Sequence, residues 1–247
     1  MLQNYLRERQ KAAIAFSGGV DSAYLLYAAS RWCKQVKAYY VKSPFQPAFE
    51  LEDAQRLAKE LSVPLQILSL DTLQDPCIVK NDSRRCYYCK QRIFAAIREA
   101  AAQDGFCLLF DGSNADDSPA ERPGMQVLDE LSVLSPLREC GLHKEEIRRL
   151  SREAGLFTHD KPAYACLATR IPVGEELTLE KLAVTERSEG VLTKLGFRDF
   201  RVRWLDGNAR IQICEAQLPL LLEMRKELLA ELKQDYGSVL LDLEWRK

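Results

Sequence analysis

The sequence lacks a long apolar stretch. Its longest uninterrupted apolar run, residues 23–29, has seven residues, whereas a membrane-spanning helix needs about 20. The first residues, MLQNYLRERQK, are charged where a secretory signal peptide is apolar. We therefore expect a cytoplasmic protein that has no membrane partner.

The chain also lacks an excess of charge of either sign. Its 35 basic and 36 acidic side chains give a formal net charge of −1 over 247 residues. Because non-specific binding to nucleic acid needs a broadly basic surface, we do not expect a nucleic-acid partner. The 47 % share of hydrophobic residues is ample for a buried core, and this length predicts one large domain or one large and one small domain.

Histidine is scarce, and two common phosphate-binding motifs are missing. His143 and His159 are the only histidines, and neither has another ligand at metal-binding spacing. The chain has no Gly-Lys-Ser/Thr and no G-x-G-x-x-G. These absences exclude a Walker A loop and do not fit the dinucleotide-binding fingerprint.

Cysteine, by contrast, is abundant. In a reducing compartment cysteines are not expected to form a disulfide framework, so metal, cluster, catalytic or core roles are favoured. The eight cysteines are residues 33, 77, 86, 89, 107, 140, 166 and 214.

Strand and helix signals alternate through the first two-thirds of the chain. This rhythm predicts an α/β fold, with a parallel sheet covered by helices on both faces and ligands at the carboxyl ends of its strands. The predicted strands are 11–16, 36–41, 64–70, 106–110 and, more weakly, 133–137. The predicted helices are 21–30, 51–61, 89–102 and 144–154.

The pattern changes after about residue 160. Thr178 is a helix cap, and Gly196 follows the helix that it starts. A hairpin is predicted from 200–205 and 209–214, a long helix from 216–234 and a final strand from 239–244. We therefore predict two domains, residues 1–160 and a smaller α+β domain at residues 161–247.

Residues 17–22, Ser-Gly-Gly-Val-Asp-Ser, lie between the first predicted strand and helix. The glycines let backbone amides approach a phosphate closely, and a helix N-terminus favours negative charge. Ser17 and Ser22 add hydroxyl groups, and Asp21 is a candidate either for holding Mg²⁺ or for capping the helix. The alternative is a glycine-rich turn without a ligand.

Cys86 and Cys89 form a C-x-x-C at a predicted helix start, and Cys166 lies in a loop-like stretch between Pro162 and Pro172. Two thiolates at this spacing can bind one metal or cluster, and three can hold a [4Fe–4S] cluster with one open iron. Zinc, a redox dithiol and a structural role remain alternatives.

The other cysteines have simpler interpretations. We expect Cys107, within the apolar stretch 106–110, to be a core residue. Cys77 precedes Cys86 by nine positions and is a less favoured fourth ligand. The remaining three are interpreted as packing or surface thiols, namely Cys33, Cys140 and Cys214.

Four stretches carry a resemblance to a known family. Residues 17–22 resemble the PP-loop of the ATP pyrophosphatase superfamily, whose fold is Rossmann-like, of the adenine nucleotide alpha hydrolase-like type. Together with three further stretches they resemble the LarE family of ATP-dependent sulfur transferases. Those stretches are DGSNADD at 111–117 with ERPG at 121–124, SPL at 135–137 before KEEIRRLSREAGL at 144–156, and DKPAYACLATRIP at 160–172.

The resemblance implies an enzyme of nickel-pincer nucleotide biosynthesis, the pathway of lactate racemase maturation. ATP and Mg²⁺ would adenylate the carboxylates of a small-molecule substrate, pyridinium-3,5-biscarboxylic acid mononucleotide, and sulfur would then displace AMP. Family members use either one sacrificial cysteine, matching Cys166, or a [4Fe–4S] cluster on three cysteines supplied by a sulfide source. Cys86, Cys89 and Cys166 match the cluster form. A homo-oligomer is also implied.

The same resemblance suggests which residues bind the two phosphate-bearing ligands. The substrate phosphate would be held by Arg170, Arg201 and Arg203, although a solvated arginine face is the alternative, and Glu186 and Glu189 are expected to be exposed. The nucleotide-binding candidates are Ser17, Gly18, Gly19, Asp21, Ser22, Val41, Asp111, Ser113, Asn114, Asp117 and Arg122. Arg122 is equally a partner for Asp116 or Asp117.

Competing functions differ in the acceptor. A PP-loop tRNA thiolation enzyme would keep adenylation and the cluster, an amide-forming synthetase would use ammonia, and a nucleotide-binding or metal-storage module would catalyse nothing. Release of pyrophosphate from ATP separates the first two from the last.

Overall fold

The computed structural model describes residues 1–117 and 123–246, which divide into two compact units. The first unit comprises Met1–Thr72 and Arg84–Lys161, and the second comprises Leu73–Ser83 and Pro162–Lys247. The chain therefore enters the second unit twice.

The helices and strands follow one another along the chain with short connections. The strands are β1 Lys11–Ala15, β2 Gln35–Lys42, β3 Leu65–Ser69, β4 Leu109–Phe110, β5 Arg201–Leu205, β6 Asn208–Gln212 and β7 Val239–Leu241. The helices are α1 Leu2–Glu8, α2 Val20–Trp32, α3 Ala48–Glu60, α4 Pro76–Val79, α5 Arg85–Gln103, α6 Gln126–Glu130, α7 Pro136–Glu139, α8 Lys144–Glu153, α9 Leu179–Lys194, α10 Leu218–Glu223 and α11 Arg225–Leu232.

The first unit is built on a parallel four-stranded sheet in the order β3-β2-β1-β4. Ile14 in the central strand β1 pairs with Ala38 on one side and Phe110 on the other. Helices of this unit cover a buried apolar core on each sheet face. The predicted α/β class, with its parallel sheet, is confirmed.

Side chains of β1 and β2 alternate between two cores because successive strand residues point to opposite faces. Ile14 and Tyr40 belong to the core that includes α2, whereas Ala13 and Tyr39 belong to the core that includes α5. Both faces being apolar, the strands read as continuous hydrophobic runs, which is typical of a parallel sheet.

Two predicted strands of the first unit are wrong in extent. The predicted strand 106–110 is reduced to β4, so Cys107 lies in the connection before it and is exposed, not in the core as expected. The predicted strand 133–137 is reduced to one bridge between Phe110 and Leu134. Pro136 starts α7, because proline donates no ladder hydrogen bond but suits the first turn of a helix.

The second unit contains a three-stranded sheet in the order β5-β6-β7. The predicted hairpin is confirmed as the antiparallel pair β5–β6, and β7 adds in parallel to β6. The predicted helix 216–234 is instead α10 and α11, because Met224 between them departs from helical backbone with ψ 10°. The smaller α+β domain of the predicted fold class is thus present.

The Thr178 cap is confirmed. Its hydroxyl accepts a hydrogen bond from the Lys181 amide at 3.2 Å, and Gly196 has φ +90° after the helix ends. Within residues 1–117 and 123–246, no helix combines the length and apolar character needed to cross a bilayer.

Replacing the cap tests how much it stabilises the second unit. Thr178→Ala removes the acceptor for the Lys181 amide, so we expect a loss of about 1 kcal/mol in the free energy of unfolding. Urea denaturation followed by circular dichroism measures this loss. Thr193→Ala in the same helix is the control, since Thr193 only bonds back to the Glu189 carbonyl and alanine favours helix there. An equal loss in both variants would contradict the capping role.

Candidate active site

Residues 17–22 form a tight loop between β1 and α2. Gly18 adopts φ +76°, a conformation that glycine tolerates, and a Cβ there would come within 3.2 Å of the Glu50 carbonyl oxygen. Ser22 Oγ lies 3.1 Å from Ser17 Oγ and donates to the Gly19 carbonyl at 3.1 Å. The loop therefore presents the first amides of α2, whose N-terminus favours an anion.

Asp21 follows the loop on the first turn of α2. One carboxylate oxygen, Oδ2, pairs with Lys144 Nζ at 2.6 Å. The other, Oδ1, is buried without a hydrogen-bond partner among the described residues. A buried carboxylate oxygen left in this state fits a ligand for Mg²⁺, which binds carboxylates together with phosphate oxygens. Helix capping is not its role, because Gly19 occupies the N-cap position.

A second ammonium group lies against the same loop. Lys161 Nζ donates to Asp53 Oδ2 at 2.6 Å and to the Gly18 carbonyl at 3.3 Å. Arg148 in α8 donates to the carbonyls of His159 and Lys161 at 2.8 and 2.9 Å, which fixes the backbone there. The polar contacts of Lys161 thus place a cation at the first glycine of the loop.

Asp111 ends β4 and is buried between two hydroxyl groups. Ser113 donates to Oδ2, and Ser135 donates to Oδ1 at 2.6 Å. Burial raises the pKa of the Asp111 carboxyl, while these two hydrogen bonds oppose that rise. Because both oxygens already accept hydrogen bonds inside the protein, Asp111 supports the loop that follows it.

The loop after Asp111 lies directly on the start of α2. A Cβ on Gly112 would come within 2.8 Å of the Ser22 amide nitrogen, so only glycine allows this approach. The Asn114 amide donates to Asp117 Oδ2 at 3.0 Å, and Asn114 Oδ1 accepts from the Asp116 amide at 2.8 Å. These local bonds make residues 111–117 an ordered turn.

Asp116 connects this turn to helix α8. Its Oδ2 accepts from the Lys144 amide at 2.7 Å, and its Oδ1 lies 2.6 Å from His143 Nδ1. The hydrogen bond and the charge of Asp116 raise the pKa of His143. Asp116 therefore holds the helix start from which Lys144 reaches Asp21.

The structure brings most predicted nucleotide-site residues into the first unit. The loop residues 17–22 and the turn 111–117 meet at the contact between Gly112 and Ser22. Val41 lies at the end of β2, where its side chain packs into the core that includes α5. Arg122 lies outside the described residues, so its predicted contact with phosphate stays a prediction.

Cys86 and Cys89 lie one turn apart at the start of α5. Cys86 is exposed and Cys89 is half-buried, and Arg85 Nη2 donates to Cys86 Sγ at 3.5 Å. A Cβ on Gly124 would come within 3.3 Å of the Cys86 carbonyl, so this segment crosses the same turn. Two thiols at i and i+3 share one helix face and match, in donor type, two ligands of a metal or cluster.

Cys166 lies in the second unit, where it precedes the 3₁₀ turn Leu167–Arg170. Its carbonyl accepts from the Thr169 amide at 2.9 Å and from the Thr169 hydroxyl at 2.8 Å. Arg203 Nη1 donates to the Thr169 carbonyl at 2.7 Å, and Arg201 donates to the Ala163 carbonyl. The two arginines of β5 therefore hold the stretch around Cys166 on both sides.

Glu189 is buried, not exposed as expected from the sequence. It accepts from the Tyr164 hydroxyl at 2.6 Å, from Arg170 Nε at 2.6 Å and from the Val202 amide at 3.0 Å. Arg170 has only 1 % of its surface exposed. An ion pair can be buried at this depth only when both charges are satisfied, which explains why Glu189 faces inward.

The arginines of the second unit crowd one another. Burial, followed by repulsion from Arg170 and Arg246, lowers the pKa of Arg201 to about 10. Burial and the same neighbours also lower the pKa of Arg203. Because Arg203 is half-buried whereas Arg170 and Arg201 are buried, it is the most accessible of the three phosphate candidates.

Three polar residues important to this geometry escaped the sequence reasoning. Lys144 and Lys161 reach the PP-loop-like turn, and Glu189 organises the arginines of the second unit. Lys144 and Lys161 do stand in two stretches that carry the family resemblance. Their partners lie 123 and 108 positions away, so no local pattern could reveal them.

Comparison with known proteins places these features in context. Residues 11–83 match the family of the queuosine biosynthesis protein QueC. An uncharacterised protein of Synechocystis is 35 % identical, covering 98 % of this chain and 92 % of that protein. A pyridinium-3,5-bisthiocarboxylic acid mononucleotide synthase of Lactiplantibacillus plantarum is 33 % identical, covering 86 % and 78 %. A tRNA-specific 2-thiouridylase of Pseudothermotoga lettingae is more distant, at 24 % identity covering 75 % and 64 %.

The close approach of Gly112 to Ser22 can be tested by adding one methyl group. Gly112→Ala places a Cβ against the Ser22 amide, and such overpacking costs about 1–3 kcal/mol. We expect weaker ATP binding by isothermal titration calorimetry, with a lower melting temperature. Gly190→Ala, in α9, is the matched control, because nothing lies within 4 Å of its added Cβ. Unchanged ATP affinity in Gly112→Ala would contradict a role for this contact in the nucleotide site.

The pair of His143 and Asp116 predicts a pH dependence. The raised pKa of His143 means that its contribution to stability is complete below its ordinary pKa of 6.5 and is lost as pH rises through the folded value. The lowered pKa of Asp116 means that its contribution is present above 3.8 and is lost as pH falls through its own folded value. The pair should therefore stabilise the start of α8 most between these limits.

Proton NMR titration of the imidazole signals measures the first of these effects. His159→Gln assigns the two histidine signals, since the chain has only two histidines. Asp116→Asn removes the anionic partner and should return the His143 midpoint toward 6.5. A His143 midpoint at or below 6.5 in the unaltered protein would show that the ion pair does not form in solution.

Proposed function

The chain belongs to the LarE family of pyridinium-3,5-bisthiocarboxylic acid mononucleotide synthases, and we propose that it is an ATP-dependent sulfur transferase of the same specificity. Its substrate would be pyridinium-3,5-biscarboxylic acid mononucleotide, as in nickel-pincer nucleotide biosynthesis. The observation that carries this proposal is the loop 17–22 at the start of α2, flanked by Asp21, Lys144 and Lys161. That arrangement suits a nucleotide triphosphate whose pyrophosphate must leave.

We propose that the first unit activates the carboxylate. A substrate carboxylate oxygen attacks the α-phosphorus of ATP, the α–β phosphoanhydride bond breaks, and pyrophosphate leaves with its electron pair. The amides at the start of α2 and the ammonium groups of Lys144 and Lys161 would stabilise the departing charge. Mg²⁺ bound by Asp21 would supply further charge neutralisation at the phosphates.

Sulfur delivery is assigned to Cys86, Cys89 and Cys166. We propose that the three thiolates hold a [4Fe–4S] cluster, which supplies sulfur from an open iron after loading by a sulfide source. Sulfur then displaces AMP from the acyl adenylate and leaves a thiocarboxylate. The C-x-x-C turn of α5 supports this form over sacrifice of Cys166 alone, because a single-cysteine donor has no need of two further thiols.

The substrate brings its own phosphate, for which Arg203 and Arg201 are the candidates. Their depressed pKa values reflect an excess of positive charge, which a phosphate dianion would relieve. Arg170 would act through the electrostatic field, because its guanidinium is buried against Glu189. We accordingly propose that residues 1–160 activate ATP and that 161–247 bind substrate and form a cytoplasmic homo-oligomer.

A tRNA thiolation enzyme is the competing function. The distant similarity to a tRNA-specific 2-thiouridylase fits shared adenylation chemistry, but the net charge of −1 does not favour an RNA surface. Gel-shift binding of tRNA and recovery of a thiolated nucleoside would favour this alternative.

Anaerobic reconstitution tests both the cluster and the reaction. We expect about four irons per chain, release of pyrophosphate from ATP with the biscarboxylic acid mononucleotide, and formation of the thiocarboxylate. Replacing Cys86, Cys89 or Cys166 singly with Ser should abolish thiocarboxylate formation and leave pyrophosphate release. Cys107→Ser is the matched control, since this exposed thiol has no assigned role.

Three results would reject parts of the proposal. Stoichiometric zinc without iron would exclude the cluster. Loss of activity only in the Cys166 variant, with dehydroalanine detected by mass in the unaltered protein, would establish the sacrificial mode. Absence of pyrophosphate release with the mononucleotide would exclude the proposed substrate.

A further inference from the structure

Asn81 is a buried polar residue in a strained backbone conformation. It is 0 % exposed and has φ +55°, in the left-handed region that Asn tolerates better than most residues. It lies in the segment Leu73–Ser83, which belongs to the second unit although the first unit surrounds it in sequence. A buried amide and a strained backbone at one position require a specific compensation.

That compensation comes from one turn downstream of Cys166. Asn81 Nδ2 donates to the Pro172 carbonyl at 2.8 Å and to the Glu175 carbonyl at 3.0 Å. The Gly174 amide donates back to the Asn81 carbonyl at 2.9 Å. The side chain and backbone of Asn81 thus close around a single turn of the partner segment.

A second contact extends the attachment. The Leu177 amide donates to the Val79 carbonyl at 2.9 Å, immediately beyond the Asn81 contacts. Each of these bonds joins residues more than 90 positions apart. Segment 73–83 is therefore fastened to residues 172–177 by backbone and side-chain bonds together.

The positions of these two segments in the sequence suggest why they are joined. Asn81 precedes Cys86 by five residues, and Pro172 follows Cys166 by six. A chain of six residues spans at most about 22 Å, so each cysteine-bearing stretch has a short tether to the same junction. A staple that served stability alone could lie anywhere along these segments.

We propose that Asn81 is a positioning residue for the three-cysteine site, holding the stretch that leads to Cys86 and Cys89 beside the stretch that leaves Cys166. This inference rests on the proposed function for the identity of the ligand, a [4Fe–4S] cluster. The joining of the two stretches is a separate claim about the metal-free protein. Asn81 touches neither sulfur nor substrate and acts through the chain.

The side chain can be removed without disturbing the backbone conformation. Asn81→Gly keeps φ +55° at no steric cost and deletes only the amide that bonds to Pro172 and Glu175. Asn81→Asp keeps the size but sets a carboxylate against carbonyl oxygens. Ser132→Gly is the matched control, because Ser132 in the first unit also has a positive φ, +53°.

Cross-linking of the metal-free protein tests the positioning directly. The full-length chain is treated with a short bis-maleimide, and peptide mapping by mass spectrometry measures links between the peptide of Cys86 and Cys89 and the peptide of Cys166. We expect such links in the unaltered protein and in Ser132→Gly. In Asn81→Gly their yield should fall about tenfold, the effect of losing two buried hydrogen bonds.

The second measurement concerns the cluster. After anaerobic reconstitution, Asn81→Gly and Asn81→Asp should lose iron to a chelator about tenfold faster than the unaltered protein. Pyrophosphate release from ATP should remain in Asn81→Gly, which shows that the first unit is intact. A melting temperature for each variant separates misfolding from misplacement of the thiols.

The outcomes separate the two proposals. Equal cross-linking in Asn81→Gly and the unaltered protein, or none in either, overturns the positioning role whether or not iron is bound. Loss of cross-linking in Asn81→Gly with no iron in any variant supports positioning and rejects the cluster. If Asn81→Gly melts before the assay temperature, the comparison is made at a lower temperature where its circular dichroism matches the control.

Discussion

Asp111 accepts hydrogen bonds from the hydroxyls of Ser113 and Ser135 where β4 ends, and this buried carboxylate fixes the turn on which the candidate nucleotide site depends. The turn brings Gly112 against the Ser22 amide, and its Asp116 starts helix α8. Without that turn, neither the end of the loop nor the helix that carries Lys144 would be held. A buried charge is costly, so its complete satisfaction indicates a constraint that the fold maintains.

The sequence was sufficient wherever local chemistry decides the structure. Alternating strand and helix signals, with the loop 17–22 between them, predicted β1, α2 and the parallel sheet. The Thr178 cap and the β5–β6 hairpin were equally visible, because capping and turn residues act over a few positions. These features need no knowledge of distant contacts.

Local patterns failed where a neighbour in space decides. The apolar stretch 106–110 matches a core strand, yet only Leu109 and Phe110 find a partner in β1, and Cys107 is left exposed. Glu189 matched an exposed helix face, but the burial of Arg170 requires an acidic partner at that position. In each case, pairing across the fold overrode the periodicity.

The insertion of residues Leu73–Ser83 into the second unit has an evolutionary consequence. The second unit is not a contiguous genetic module, because its sequence is interrupted by the whole of Arg84–Lys161. A gene fusion that transferred only the C-terminal stretch would leave the Pro172 and Glu175 carbonyls without the Asn81 amide. The two units are therefore expected to have been inherited together, with the intervening cysteine helix constrained at both of its flanks.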